Sequence, residues 1–312
     1  MTRRRSLPLL VLVPLFATVS LRAVAPQTDA KAEEILNAAR TVLGGADSLA
    51  KVQSATVTGS SRRIMGEREI SSDVTLDLLL PDKFKRTEEM SFGQGGPSIT
   101  RVTAVNGTEV WDDGTNRGGG AFIMRSGGPG GPGGGPGGAV GPGGAGREPT
   151  EEERARFKQF QERRMKSERA RYSLIWFLKS DAPVTYAGVA EAPDGKADVL
   201  EVKPEGASPM KLFIDQESHK PLMLTYEGVL PRMMMRGQGQ RPTPQEIEKM
   251  RNEPPQQVTY EVHFREYKKV DGVLLPHLIS QSVNGNVSEE FTIEKYKLNA
   301  PLKPADFAKK GS

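Results

Sequence analysis

The sequence predicts an α+β protein in which an antiparallel β-scaffold is covered by helices. Three observations carry this reading. Apolar and polar residues alternate with a period of two in several segments, most plainly over 70–80 and 258–264. The dipeptides Asn106-Gly107, Asp271-Gly272 and Asn284-Gly285 fall between such segments, and each supplies the positive φ angles of a tight hairpin, which makes the flanking strands antiparallel neighbours. A helical period appears at 29–43 and again beyond residue 150.

The chain opens with Arg3-Arg4-Arg5, an apolar run over 7–16, and small residues at Ala23 and Ala25. This pattern reads as a signal peptide over residues 1–25. The run is too short to span a bilayer, so no membrane span is expected after processing. Ser6 stands where a twin-arginine signal prefers Phe, and ordinary secretion is the simpler reading. The chain's net charge is +4, and Arg3, Arg4, Arg5 and Arg22 of the signal account for all of it. A neutral mature protein gives no electrostatic reason to bind nucleic acid. With no cysteine, disulfides, thiolate metal sites and cysteine nucleophiles are excluded. The remaining length suits a single β-rich domain over 29–312.

Taken in order, Ala32, Ile35, Leu36, Ala39, Val42 and Leu43 form the apolar face of an opening helix that Gly44-Gly45 terminates. Extended segments begin at Val57. In the strand over 70–80, Ile70, Val74, Leu76, Leu78 and Leu80 alternate with polar residues, so one face is buried and the other wet. Pro81-Asp82 turns the chain into a strand around Phe84, and a hairpin across Asn106-Gly107 follows. Residues 118–146 are dominated by Gly and Pro and are expected to form a disordered loop, because they cannot bury enough apolar surface to offset their ordering entropy. A collagen reading fails because the frame Gly128, Gly131, Gly134, Gly137 reaches Val140.

Thr150 and Glu153 then form a capping box for a long helix to about residue 178. Its first part is rich in arginine, including Arg169 and Arg171, and is expected to project into solvent, while the apolar end from Leu174 to Leu178 plugs into the body. Short strands follow at 184–189, 199–203, 211–215 and 222–227. A Met/Pro-rich insertion at 228–256 holds Met233, Met234 and Met235, whose soft side chains suit an adaptable surface or an anchored loop. Three strands in a meander, joined at Asp271-Gly272 and Asn284-Gly285, complete the chain.

Several pieces in order resemble the LolA-like family of periplasmic proteins, which includes the outer-membrane lipoprotein-sorting carriers and related lipid-binding envelope proteins. They are the opening helix ending Leu43-Gly44-Gly45, the hairpin around Val105-Asn106-Gly107-Thr108, Leu212-Phe213-Ile214-Asp215 before Pro221-Leu222, and Asp271-Gly272-Val273-Leu274-Leu275-Pro276 followed by Ile293 to Asn299. The resemblance implies an unclosed antiparallel β-barrel, the LolA-like half-barrel, curved around an apolar cavity under covering helices. It also implies a periplasmic location and acyl chains of lipids or lipoproteins as ligand. The Gly/Pro loop and the arginine-rich helix depart from the family pattern, and they leave room for a second reading as a protein-interaction or stress-sensing module with an envelope protein partner.

For a ligand-binding surface the candidates are Leu76, Leu78, Trp111, Leu174, Trp176, Phe177 and Phe264, since acyl chains need concave apolar surface and few polar contacts. Each taken singly reads equally as core, and Trp111 reads as a packing residue at the rim. No GxSxG, HExxH or phosphate-binding loop occurs, so no catalytic residue, cofactor or metal is expected. His219, His263 and His277 lie on three different segments, with His263 and His277 on adjacent strands. The acidic pairs Glu88-Glu89 and Glu289-Glu290 read as solvated strand ends.

Overall fold

The computed structural model describes residues 29–65, 68–91, 98–113, 151–172, 178–179, 183–192, 195–203, 208–229 and 256–309. The expectations for the signal peptide, for the loop at 118–146 and for nearly all of the insertion at 228–256 lie outside them. So does the cap at Thr150.

Among the described residues, twelve strands form one antiparallel sheet. They are β1 (Ser54–Met65), β2 (Arg68–Leu79), β3 (Lys83–Ser91), β4 (Ser98–Asn106), β5 (Glu109–Asp112), β6 (Val184–Ala192), β7 (Gly195–Val202), β8 (Met210–Asp215), β9 (Pro221–Val229), β10 (Gln257–Val270), β11 (Val273–Val283) and β12 (Asn286–Leu298). The spatial order is β5-β4-β3-β2-β1-β12-β11-β10-β9-β8-β7-β6. Two sequential meanders are therefore joined side by side at β1 and β12, and the outer edges of β5 and β6 do not pair with each other. This is the unclosed antiparallel sheet that the sequence predicts. Two of the three turn dipeptides act as expected: Asp271 and Gly272 take φ of 47° and 89°, and Asn284 and Gly285 take 49° and 79°, the paired positive values that match hairpin twist; at Asn106-Gly107 only Gly107 is positive, at 62°.

Helix α1 (Ala30–Val42) is held at its start by Asp29, whose side chain accepts from the Lys31 and Ala32 amides at 2.8 and 3.2 Å. Asp29 also ties α1 to the sheet, because its backbone N–H donates to the Val184 carbonyl and its carboxylate accepts from the Tyr186 amide. A second helix, α2 (Ala46–Lys51), follows directly. Its six residues are too few to carry a helical period, and the sequence reading missed it. Helix α3 spans Glu151–Tyr172.

One face of the sheet carries the core. Leu36 of α1 and Leu43, the residue after its end, pack there with Val57, Leu76, Phe84 and Phe291, and Leu49 and Val52 extend the cover over Val273 and Leu275. Sheet curvature is visible in side chains that meet across it. Arg86 on β3 and Glu289 on β12 are three strands apart, about 14 Å on a flat sheet, yet their side chains approach to 2.8 Å. At the β1/β12 seam the register shifts between Thr58 and Gly59, a bulge of the kind that bends a sheet. A Cβ on Gly59 would lie 2.1 Å from the Thr292 carbonyl oxygen, so no other residue fits without moving the seam.

The sequence expectation for α3 needs a correction. Lys158 and Arg163 in its earlier part are exposed, but Met165, Ser167, Arg169 and Arg171 are buried. Arginines expected in solvent thus enter the body, because Glu289 on β12 accepts from Arg171 and the Asp82 backbone carbonyl accepts from Arg169. Leu178 is buried in the core as the expected plug requires, and its carbonyl accepts from Arg40 Nε at 2.9 Å.

Candidate functional site

The covered face has an apolar part and a polar part, and strand register orders them. On β3 the inward positions are Phe84, Arg86, Glu88 and Met90. Phe84 pairs with Val105 and Leu78, Arg86 with Thr103 and Leu76, and Glu88 with Arg101 and Val74. One step of two residues, about 7 Å along the strand, passes from the apolar rows to the charged rows.

In the charged rows Glu289 is 5% exposed and is the hub. It accepts from Arg86 at 2.8 Å and from the Ser61 hydroxyl at 2.7 Å, and Arg171 of α3 donates to its other oxygen. Arg63 lies 3.6 Å away. Burial alone would raise the Glu289 carboxyl, but the guanidiniums of Arg171, Arg86 and Arg63 outweigh it and hold the group well below the usual carboxylate range. Burial likewise opposes the charge on Arg86, and Glu289, Glu88 and Glu168 overcome it, so Arg86 stays ionised. Glu88 accepts from Arg63 at 3.1 Å and from Ser72 at 2.9 Å. Glu168 of α3 accepts from Arg86 at 3.2 Å. Arg171 also donates to Gln281, whose carbonyl oxygen lies 3.5 Å from the Tyr226 hydroxyl. Burial raises the Tyr226 phenol, and its ring stacks on Tyr260 at 5.1 Å between centroids.

This corrects the sequence reading of Glu88 and Glu289 as solvated strand ends. A signal for them existed: Arg86 and Glu88 share the parity of Phe84 and Met90, and Glu289 that of Phe291 and Ile293, so the inward face was charged in phase with its apolar residues.

The predicted ligand-binding residues divide into three groups. Leu76, Leu78 and Phe264 are brought together in the one core, at 1%, 4% and 4% exposure. Trp111 is not with them. It pairs with Ala104, whose side chain is on the opposite face from Thr103 and Val105, and its indole N–H donates to the Phe307 carbonyl at 2.8 Å. The neighbouring Val110 is the β5 residue that packs against the core. Leu174, Trp176 and Phe177 lie outside the described residues. His263 stands opposite Ser280, so it does not meet His277, whose Nδ1 is 3.1 Å from the Leu275 carbonyl. Among the described residues no group of three or more His, Asp or Glu is arranged to hold a metal ion, and no helix is long and apolar enough to cross a membrane.

No protein-family model and no curated protein sequence matches the chain. Solved structures do. A LolA superfamily protein from Nitrosomonas europaea is similar with a TM-score of 0.49 and 11% identity, over 89% of this chain and 97% of that one. A putative outer membrane lipoprotein-sorting protein domain from Vibrio parahaemolyticus gives a TM-score of 0.43 and 10% identity, over 88% and 97%. A DUF1329 family protein from Desulfovibrio piger gives 0.42 and 10%, over 89% and 97%.

Proposed function

We propose that this chain is a non-catalytic binder of an apolar ligand, the acyl chains of a lipid or lipoprotein, acting as a carrier or chaperone in the periplasm of a bacterial cell envelope. The observation that carries the reading is the covered face itself. An unclosed sheet presents continuous apolar rows, with Leu76, Leu78 and Phe264 among them, and separate helices rather than a second sheet lie over them. Such a cover can be exchanged for a ligand without breaking any strand pairing. The N-terminal signal pattern supports export, and the family resemblance supports an acyl ligand. Leu174, Trp176 and Phe177, directly before the buried Leu178, extend the proposed apolar surface. Apolar burial supplies most of the affinity, at about 25 cal/mol per Å² removed from water.

Native mass spectrometry of the purified mature protein tests this, and copurified lipid is the expected result. A clean apo mass together with no uptake of a fluorescent fatty acid would overturn it and favour a docking role. As a second arm, Trp176→Asp should weaken fatty-acid uptake about tenfold or more, whereas Lys158→Ala, on the exposed part of α3, should leave it unchanged. Equal effects would mean that the apolar site lies elsewhere.

A further inference from the structure

We propose that the charged end of the covered face is an anion-binding subsite that takes one phosphate or carboxylate group between Arg63, Arg86 and Arg101. In the carrier reading, on which this proposal rests for the apolar tail, the ligand is an anionic amphiphile.

The geometry supplies a place for it. Arg63, Arg86, Glu88, Arg101, Thr103 and Glu168 line a cavity of about 10 Å³, the space of about one water oxygen. Its floor is closed, with the Arg86 and Glu88 side chains 3% and 4% exposed, and its rim is open, with Arg63 and Arg101 at 28% and 21%. The Thr103 hydroxyl is buried here and has no hydrogen-bond partner among the described residues, which is the exception for buried polar groups. It can donate to an anionic oxygen, and guanidiniums match phosphate and carboxylate oxygens in pairs.

Carboxylates also face the cavity, and they decide how an anion enters. Glu88 is fixed on β3 by Arg63 and Ser72. Asp112 on β5 holds Arg101 from the exposed side at 2.6 Å. Glu168 alone comes from a separate element, α3, and it contacts Arg86 at 3.2 Å. In this arrangement Glu168 stands in for the ligand, and an incoming phosphate or carboxylate takes its place on Arg86. The tail then has somewhere to go, because the Arg86–Thr103 pair is the row next to Phe84–Val105 in the core and Leu76 sits directly opposite Arg86.

Calorimetric titration of the full mature protein with octyl phosphate, octanol and inorganic phosphate tests this. Octyl phosphate should bind about tenfold tighter than octanol. Glu168→Gln, which removes the competing carboxylate, should strengthen octyl phosphate binding several-fold and leave octanol unchanged. Thr103→Val should weaken octyl phosphate binding with octanol and melting temperature unchanged, since it removes only an unpartnered hydroxyl. Equal affinity for octyl phosphate and octanol, or equal effects of Glu168→Gln on both, overturns the subsite while leaving the apolar binder intact. Inorganic phosphate binding as tightly as octyl phosphate supports the subsite but assigns it to a free anion and removes the amphiphile. Binding of none of the three probes overturns both readings.

Discussion

Glu289 shows how much one side chain can decide. It is buried among Arg63, Arg86 and Arg171, so removing it leaves guanidiniums without their counter-charge. Glu289→Ala should cost about 3–5 kcal/mol of unfolding free energy in urea. Its folded pKa lies below the unfolded value, so its contribution is complete above about pH 4.5 and is lost as the pH falls further, toward the folded pKa. Stability should therefore drop as the pH falls below about 4.5, and the drop should shrink in Glu289→Gln; an undiminished drop would remove Glu289 from the account. At this scale the sequence was read only in part. Leu76, Leu78 and Phe264 announced their burial by alternation. Glu88 and Glu289 did not, because a charged residue in phase with an apolar face is ordinarily taken as a strand end until its partners on other strands, 16 to 228 residues away, are seen. Which face of β5 carries Trp111 was not legible, since aromatic character says nothing about which of two adjacent residues faces inward.

Among the elements, the strands were legible and the covers less so. Every predicted strand has a counterpart, because a half-buried strand writes its pattern locally and the turn dipeptides fix its ends. Helix α3 was found, but its enclosed turns depend on Arg86 of β3 and Glu289 of β12, which no local pattern encodes. The seam between β1 and β12 depends on a glycine for similar non-local reasons. Gly59→Ala pushes a methyl into the Thr292 carbonyl and should destabilise by about 1–3 kcal/mol, measured as a lower midpoint with an unchanged urea slope. A neutral outcome would mean that the bulge at Thr58/Gly59 is softer than its geometry implies. Trp111→Phe loses only the bond to the Phe307 carbonyl and should cost about 1 kcal/mol.

For the molecule as a whole, the sheet order sets where stability concentrates. β1, β12 and β11 have strand neighbours on both sides, whereas β5 and β6 are edges. Amide exchange should be slowest in β1, β11 and β12 and fastest along the outer sides of β5 and β6; protection that peaks at an edge would contradict this order.

The pairing of β1 with β12 also bears on how the chain assembles. Ala55 lies opposite Leu298, so the strand formed first from the N-terminal side finds its second neighbour only when the last strand arrives. Each meander can hydrogen-bond within itself early, but the union of the two is a contact between residues more than 200 positions apart, and such closures are slow. Until then both β1 and β12 expose an unsatisfied row of amides and carbonyls, the surface most prone to association with another chain. A polypeptide delivered in sequence order thus holds its most aggregation-prone margin open in what will become the middle, and keeping it from neighbours until the final strand is available is a requirement built into the topology.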